Sequence, residues 1–334
     1  MEKRLASFRT LKVDRLAFSD GSPAGAPKLS FVYEVCLNRP QQRNAFDHEF
    51  WTELRECFDL LDRLSSCRCV IITAAGSVFT AGIDLAFAGQ IISSPVLPRR
   101  TSASPVENPE QPSKARLAVD SPISGEDPDA TDPDCARKAA HLRRYVTALQ
   151  DCFSAVEECS KPVIACVGGP CVGAGVDLVC SCDIRVASEE AWFSVKEVDL
   201  GLAADVGTLQ RLPRIVGNDA WAREICFTGR RVGAEEARRE GLLSALFESR
   251  EEMRQKAIAL AREIAGKSPV AVAGIKFALN FSTRRTVREE LRVQAIWNGA
   301  MLQTHDIPTA MAQAALGRGA QREAPANGEV FACL

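Results

Sequence analysis

Histidine is nearly missing from these 334 residues: three, His48, His141 and His305, stand far apart. The thirteen cysteines contain no Cys-x-x-C pair, so zinc-finger spacing is excluded and no metal site is expected. No apolar run approaches the roughly 18 residues of a membrane-spanning helix. An excess of one charge is lacking too. Lys and Arg number 41 against 43 Asp and Glu, a formal net charge of −2 that advertises neither a nucleic-acid nor a membrane partner. The odd cysteine count argues against a disulfide framework. Cys166, Cys171, Cys180 and Cys182 sit in apolar runs, where a thiol acts as a small hydrophobe, and the reading is a reducing compartment.

The termini give little. MEKRLASFRTLKV has no apolar core of a secretory signal, and a short basic mitochondrial presequence stays open. Ala332-Cys333-Leu334 keeps the small-x-Leu outline of a peroxisomal address without its basic middle residue.

What is present reads as an α/β fold. Leu29–Leu37 is predicted as a strand, followed by a turn through Asn44 and a helix capped by Asp47 that runs to about Ser65. Cys69–Thr73 is a short buried strand, and a loop leads to a helix near Ala86. A long amphipathic helix spans 136–158, Pro162–Val167 is a strand, Gly168–Gly173 a tight loop, and a helix starts near Ala174. Asp183–Ala187 and Trp192–Ser194 are short strands, and 206–216, 218–227, 234–240, 251–266, 269–282 and 286–303 read helical. Residues 93–134 are rich in Pro, Ser, Glu and Asp and cannot bury enough to offset their ordering entropy, so a loosely held insertion is expected. The division expected is a core over 1–212 containing that insertion, a helical region over 213–320 and a tail over 321–334.

Two glycine-containing loops and three acids carry the chemical signal. GGPCVGAGVDLV, residues 168–179, fails the dinucleotide fingerprint because Leu178 stands at its last position, but it can aim the Ala174 N–H at an anion or polarised oxygen. SVFTAGIDL, residues 77–85, offers a second N–H at Ile83, and two such donors converging would make an oxyanion hole. Asp177, Glu197 and Asp205 lie in apolar surroundings, where an ionised carboxylate is costly. Each also has an ordinary use: Asp177 facing a helix dipole, Asp205 capping a helix that begins at Val206, Glu197 pairing with Arg185 or Arg211.

KPVIACVGGPCVGAGVDLVCSCDIR and FSVKEVDLGLAADVGTLQRLPRIVGN resemble the enoyl-CoA hydratase/isomerase (crotonase) superfamily, and within it most nearly the dienoyl-CoA isomerases. LNRPQQRNAFD, FTAGIDL, SPVAVAGIKFALN and WNGAMLQTHD support this, over roughly residues 8–315 without the insertion. The resemblance implies a spiral of ββα repeats with a C-terminal helical trimerisation region, assembled as a trimer or hexamer. It implies an acyl-CoA thioester substrate and no cofactor, with the thioester oxygen held by the N–H groups of Ile83 and Ala174. It places Arg43, Asn44, Ala45, Ala81, Gly82, Asp84 and Gly173 along substrate and CoA, and Lys276 at the CoA phosphates. Family hydratases carry Glu where Asp177 stands and a small residue at Asp205, so the trio favours a dienoyl isomerase in fatty-acid β-oxidation, in a peroxisome or mitochondrion.

Shifting 3,5-dienoyl-CoA to 2,4-dienoyl-CoA removes a proton at C2 and adds one at C6. One carboxyl reaches both carbons awkwardly, so an ionised base and a neutral acid are expected. The assignment carried forward makes Glu197 the base, Asp205 the acid kept neutral by Leu202, Ala203, Ala204 and Val206, and Asp177 a positioning or tuning group. Coupled carboxyls share their titration, so the order of base and acid stays open. Enoyl-CoA hydratase, a 3-enoyl to 2-enoyl isomerase and a silent CoA-binding subunit are the alternatives; acyl chain length, trimer against hexamer and the role of 93–134 are left open.

Overall fold

The structure is a computed structural model that describes residues 1–18, 28–93, 135–282, 286–316 and 331. Its strands are β1 (Leu11–Phe18), β2 (Lys28–Leu37), β3 (Cys69–Ala74), β4 (Val163–Val167), β5 (Cys171–Val172), β6 (Ile184–Ser188), β7 (Trp192–Ser194), β8 (Val232–Gly233) and β9 (Ala245–Phe247). Its helices are α1 (Glu2–Leu5), α2 (His48–Arg63), α3 (Leu85–Ser93), α4 (Cys135–Glu158), α5 (Ala174–Ser181), α6 (Thr208–Val216), α7 (Asp219–Thr228), α8 (Ala234–Arg239), α9 (Arg250–Ala265), α10 (Pro269–Phe281), α11 (Val287–Met301) and α12 (Asp306–Leu316).

A six-stranded sheet runs β1-β2-β3-β4-β6-β9, antiparallel at β1/β2 and parallel thereafter, beside a small sheet β5-β7-β8. The chain leaves the large sheet at β4, adds β5 to the small one and turns into α5; after β6 and β7 it repeats the move. After β3, Thr80 bridges Cys171 before the chain enters α3, which gives a third, abbreviated turn. This is the expected spiral of ββα units.

The central strands are apolar on both faces because both faces are covered. Val70, Ile72, Ala165 and Val167 join the core under α2, α4 and α5, while Cys69, Ile71, Ile164 and Cys166 point the other way. There they meet Met253, Ala257, Ala261 and Ala265, a four-residue spacing that lets α9 lie close to the sheet. The buried thiols are free, as read from the sequence. Among the described residues no helix is long and apolar enough to cross a membrane.

The long helix over 136–158 and the strands near 29–37, 69–73 and 162–167 fall where the sequence placed them. The short β5, β8 and β9 were not read, since two or three residues carry almost no periodicity, and the longer β1 and α12 were not read either. Apart from Ser93, the insertion expected over 93–134 lies outside the described residues.

Candidate active site

The two glycine-containing loops do converge. Gly82 has φ +86°, and a Cβ there would stand 2.7 Å from the Val172 carbonyl oxygen and 3.4 Å from the Ala174 nitrogen, so only glycine lets the loops touch. Thr80, wholly buried, binds them: its Oγ1 donates to the Asn44 carbonyl at 2.7 Å and accepts from the Gly82 N–H at 3.0 Å. Phe46 bridges to Ile83, fixing the second loop from the α2 side. Among the described residues neither Ile83 N–H nor Ala174 N–H donates to a protein acceptor, the condition a binding oxyanion hole requires. Sequence reading missed Thr80; a lone small polar residue between Phe79 and Ala81 was its only signal.

Ile83, Ala174, Gly173, Ala81, Asp84 and Ala45 line a pocket of about 630 Å³. Glu197 and Asp205 line the same pocket, with Leu142, Tyr145, Val146 and Leu149 of α4 forming an apolar wall. Glu197 sits on a 3₁₀ turn, Lys196–Leu200, against the loop that precedes α5: a Cβ on Gly173 would be 3.2 Å from its Oε1. Its Oε2 is buried without a hydrogen-bond partner. The pairing with Arg185 or Arg211 is not made, because Arg211 donates to Glu157 at 2.7 Å and Arg185 to the carbonyls of Leu242 and Cys182. Burial first, then the charges of Asp177 and Asp205, push the Glu197 carboxyl up to about 7.

Asp177 does not line the pocket. It is fully buried on α5, its Oδ1 accepts from the Thr208 N–H at 2.5 Å, and its Oδ2 has no partner. It therefore serves the first turn of α6 in the capping role that the sequence gave to Asp205. The helix starts at Thr208, not Val206, so Asp205 lies three residues before it and is not its cap. Burial pushes Asp177 up to about 6, opposed by the Thr208 donors.

Asp205 departs from expectation in a second way. It is exposed at the pocket rim, with Leu202 and Ala203 also exposed, so no closed apolar shell holds it neutral. Partial burial raises its carboxyl, but the strongly raised, pocket-lining carboxyl is Glu197.

The residues expected along CoA divide. Arg43 and Asn44 both have positive φ, 52° and 53°, and shape the turn. The Asn44 side chain is buried, accepting from Arg39 N–H and donating to the Ala75 and Val78 carbonyls, whereas Arg43 is exposed. Asp84 caps α3 through the Ala86 N–H at 3.0 Å. Arg39, not singled out from the sequence, ties the loop together by donating to the Ala45 carbonyl and pairing with Asp47 at 3.0 Å. Lys276 is corrected outright. It is buried, and its Nζ donates to Asp183 at 2.7 Å and to the Lys161 and Val156 carbonyls at 3.0 and 3.4 Å, which leaves no donor for a phosphate.

Comparison with known proteins gives the family and the fold. The enoyl-CoA hydratase/isomerase family model matches residues 29–94 and 129–315, leaving most of the Pro- and Ser-rich stretch unmatched. The chain is 44% identical over 276 residues to the human protein named Delta(3,5)-Delta(2,4)-dienoyl-CoA isomerase, mitochondrial, covering 83% of this chain and 74% of that one. It is 38% identical to the Arabidopsis thaliana Delta(3,5)-Delta(2,4)-dienoyl-CoA isomerase, peroxisomal, over 84% of this chain and 89% of that one. A putative enoyl-CoA hydratase from Streptomyces coelicolor shares the fold with a TM-score of 0.71 at 25% identity, covering 96% of each chain.

Proposed function

The chain belongs to the enoyl-CoA hydratase/isomerase family, and from that premise we propose that it converts 3,5-dienoyl-CoA to 2,4-dienoyl-CoA in fatty-acid β-oxidation. The names of its relatives support this, and so does one observation above others. Glu197 and Asp205 line a single pocket together with Ile83 and Ala174, whose backbone N–H groups have no protein acceptor among the described residues. The thioester oxygen accepts from Ile83 and Ala174, and the enolate formed on losing a C2 proton is held there. A hydratase would need Asp177 and Glu197 together on one water; Asp177 is instead engaged with Thr208 behind the pocket.

The order of proton transfer follows from where each carboxyl stands. Glu197 lies against the Gly173 turn, beside the Ala174 N–H that holds the thioester oxygen on this reading, so it is the carboxyl nearer the adjoining C2. Ionised Glu197 is then the base at C2 and neutral Asp205 the acid at C6, with the bound acyl-CoA covering Asp205 and favouring its neutral form. After turnover Glu197 carries the C2 proton and Asp205 is ionised; exchange with solvent resets them. Asp177 acts as a positioning residue, holding α6 and raising Glu197 by its charge. The proton balance closes on these carboxyls and the CoA thioester alone.

Ile275, Leu279, Leu291 and Ile296 of α10 and α11 are more than half exposed, which supports a homo-oligomer, trimer or hexamer, that covers them. Relatives named for mitochondria and peroxisomes support an organellar location.

A single turnover in D₂O tests the two-carboxyl route. Deuterium appears at C6 of the product while the C2 hydrogen is lost to solvent. Intact transfer of the C2 hydrogen to C6 would mean that one carboxyl does both jobs.

A further inference from the structure

We propose that Gln150 is a positioning residue through which the acyl chain of the substrate sets the place of Asp205, an inference that rests on the functional reading above. α4 does two different things at neighbouring residues. Leu142, Tyr145, Val146 and Leu149, spaced three and four apart on one face, form the apolar wall of the pocket. The next residue, Gln150, belongs to a separate polar groove on the far side of the Asp205 segment, and its Nε2 donates to the Asp205 carbonyl oxygen at 2.6 Å.

The stretch from Gly201 to Gly207 has no helix or strand to hold it, and Gly201, Leu202, Ala203 and Asp205 are exposed. Its place is set by a few ties. Downstream, Asp177 grips the Thr208 N–H, and Arg211 on α6 reaches the α4 side chains Glu157 and Ser154. At Asp205 itself the recorded tie is Gln150, which leaves the Asp205 carboxyl to face the pocket.

An acyl tail laid on Leu142 to Leu149 presses on the helix that carries this donor. A tail long enough to seat α4 therefore also seats the Asp205 backbone, and binding energy from the unreactive end of the substrate appears in kcat rather than in KM. A tail that stops short leaves the helix, and with it the Asp205 carboxyl, less firmly placed. Small displacements of a catalytic group are expensive in rate.

The test compares the unaltered full chain with Gln150→Met, which keeps the length and loses the donor, and Gln150→Asn, which keeps the amide and loses the reach. Both are assayed with 3,5-dienoyl-CoA substrates of six and twelve carbons, alongside melting temperature. The unaltered chain gives a higher kcat for the longer substrate. Each variant melts close to it, loses kcat on the long substrate by roughly tenfold, changes KM by less than about twofold, and shows the same kcat for both lengths. Variants that keep the chain-length dependence of kcat, or that lose only KM, would overturn the inference while leaving the isomerase reading intact. Failure of the unaltered chain to turn over either substrate would overturn the functional reading itself, and this inference with it.

Discussion

At the scale of single residues, the chemistry turns on which carboxyl keeps a proton. On the proposed route Glu197 acts in its ionised form, so kcat/KM rises with pH through about 7, where Glu197 loses its proton. Were Glu197 the acid, the profile would instead fall through the same range, and a pH–rate series separates the two. Stability follows the same proton. The folded-state pKa of Glu197 lies above its unfolded value of 4.5, so the folded chain binds that proton more tightly. Its contribution is full below about 4.5 and is lost as pH rises through about 7. Glu197→Gln, fixed in a neutral form, is therefore expected to be more stable than the unaltered protein at about pH 8, by roughly 1–3 kcal/mol in urea titrations, with the gain fading near pH 4.5. The trio of acids was legible in the sequence because carboxylates rarely stand among Val, Leu, Ala and Gly without a task. Their division of labour was not. The start of α6 at Thr208, two residues later than the pattern suggested, moves the contact with its first N–H from Asp205 to Asp177, which is how Asp177 takes the positioning part.

At the scale of elements, glycine-rich loops and buried parallel strands announced themselves, and the convergence of Ile83 with Ala174 required only that Gly82 lie against Val172. Thr80 and Arg39, which bind those loops, were hidden because single side-chain ties, one from Thr80 back to Asn44 and others from Arg39 within its own turn to Ala45 and Asp47, leave no periodic trace. Lys276 shows the converse error. Resemblance placed it at the CoA phosphates, yet it joins α10 to the loop before β4 and to Asp183, whose Oδ2 also accepts from the Val163 N–H. Lys276→Met leaves Asp183 without its cation in a mostly buried site, and a loss of roughly 3 kcal/mol in chemical denaturation is expected. KM for the CoA thioester stays the same at a temperature where the variant is folded; a rise in KM with stability unchanged would restore the phosphate role.

At the scale of the whole molecule, the α/β class and the spiral were legible from alternating strands and helices together with the quoted motifs. The pocket was not, since it is assembled from α4, the 3₁₀ turn at Lys196–Leu200 and loops up to about 160 residues apart, and nothing in a linear pattern records that meeting. Its contents nonetheless fit the proposed activity: two N–H groups without protein acceptors among the described residues, two carboxyls both raised by burial and an apolar wall. The most direct test is the absorbance of a purified sample mixed with a 3,5-dienoyl-CoA, with hydration of a 2-enoyl-CoA followed in parallel. Rapid growth of the conjugated 2,4-dienoyl thioester band, abolished in Asp205→Asn and accompanied by little hydration, is the predicted result. Efficient hydration without that band, or a band that survives Asp205→Asn undiminished, would contradict the account.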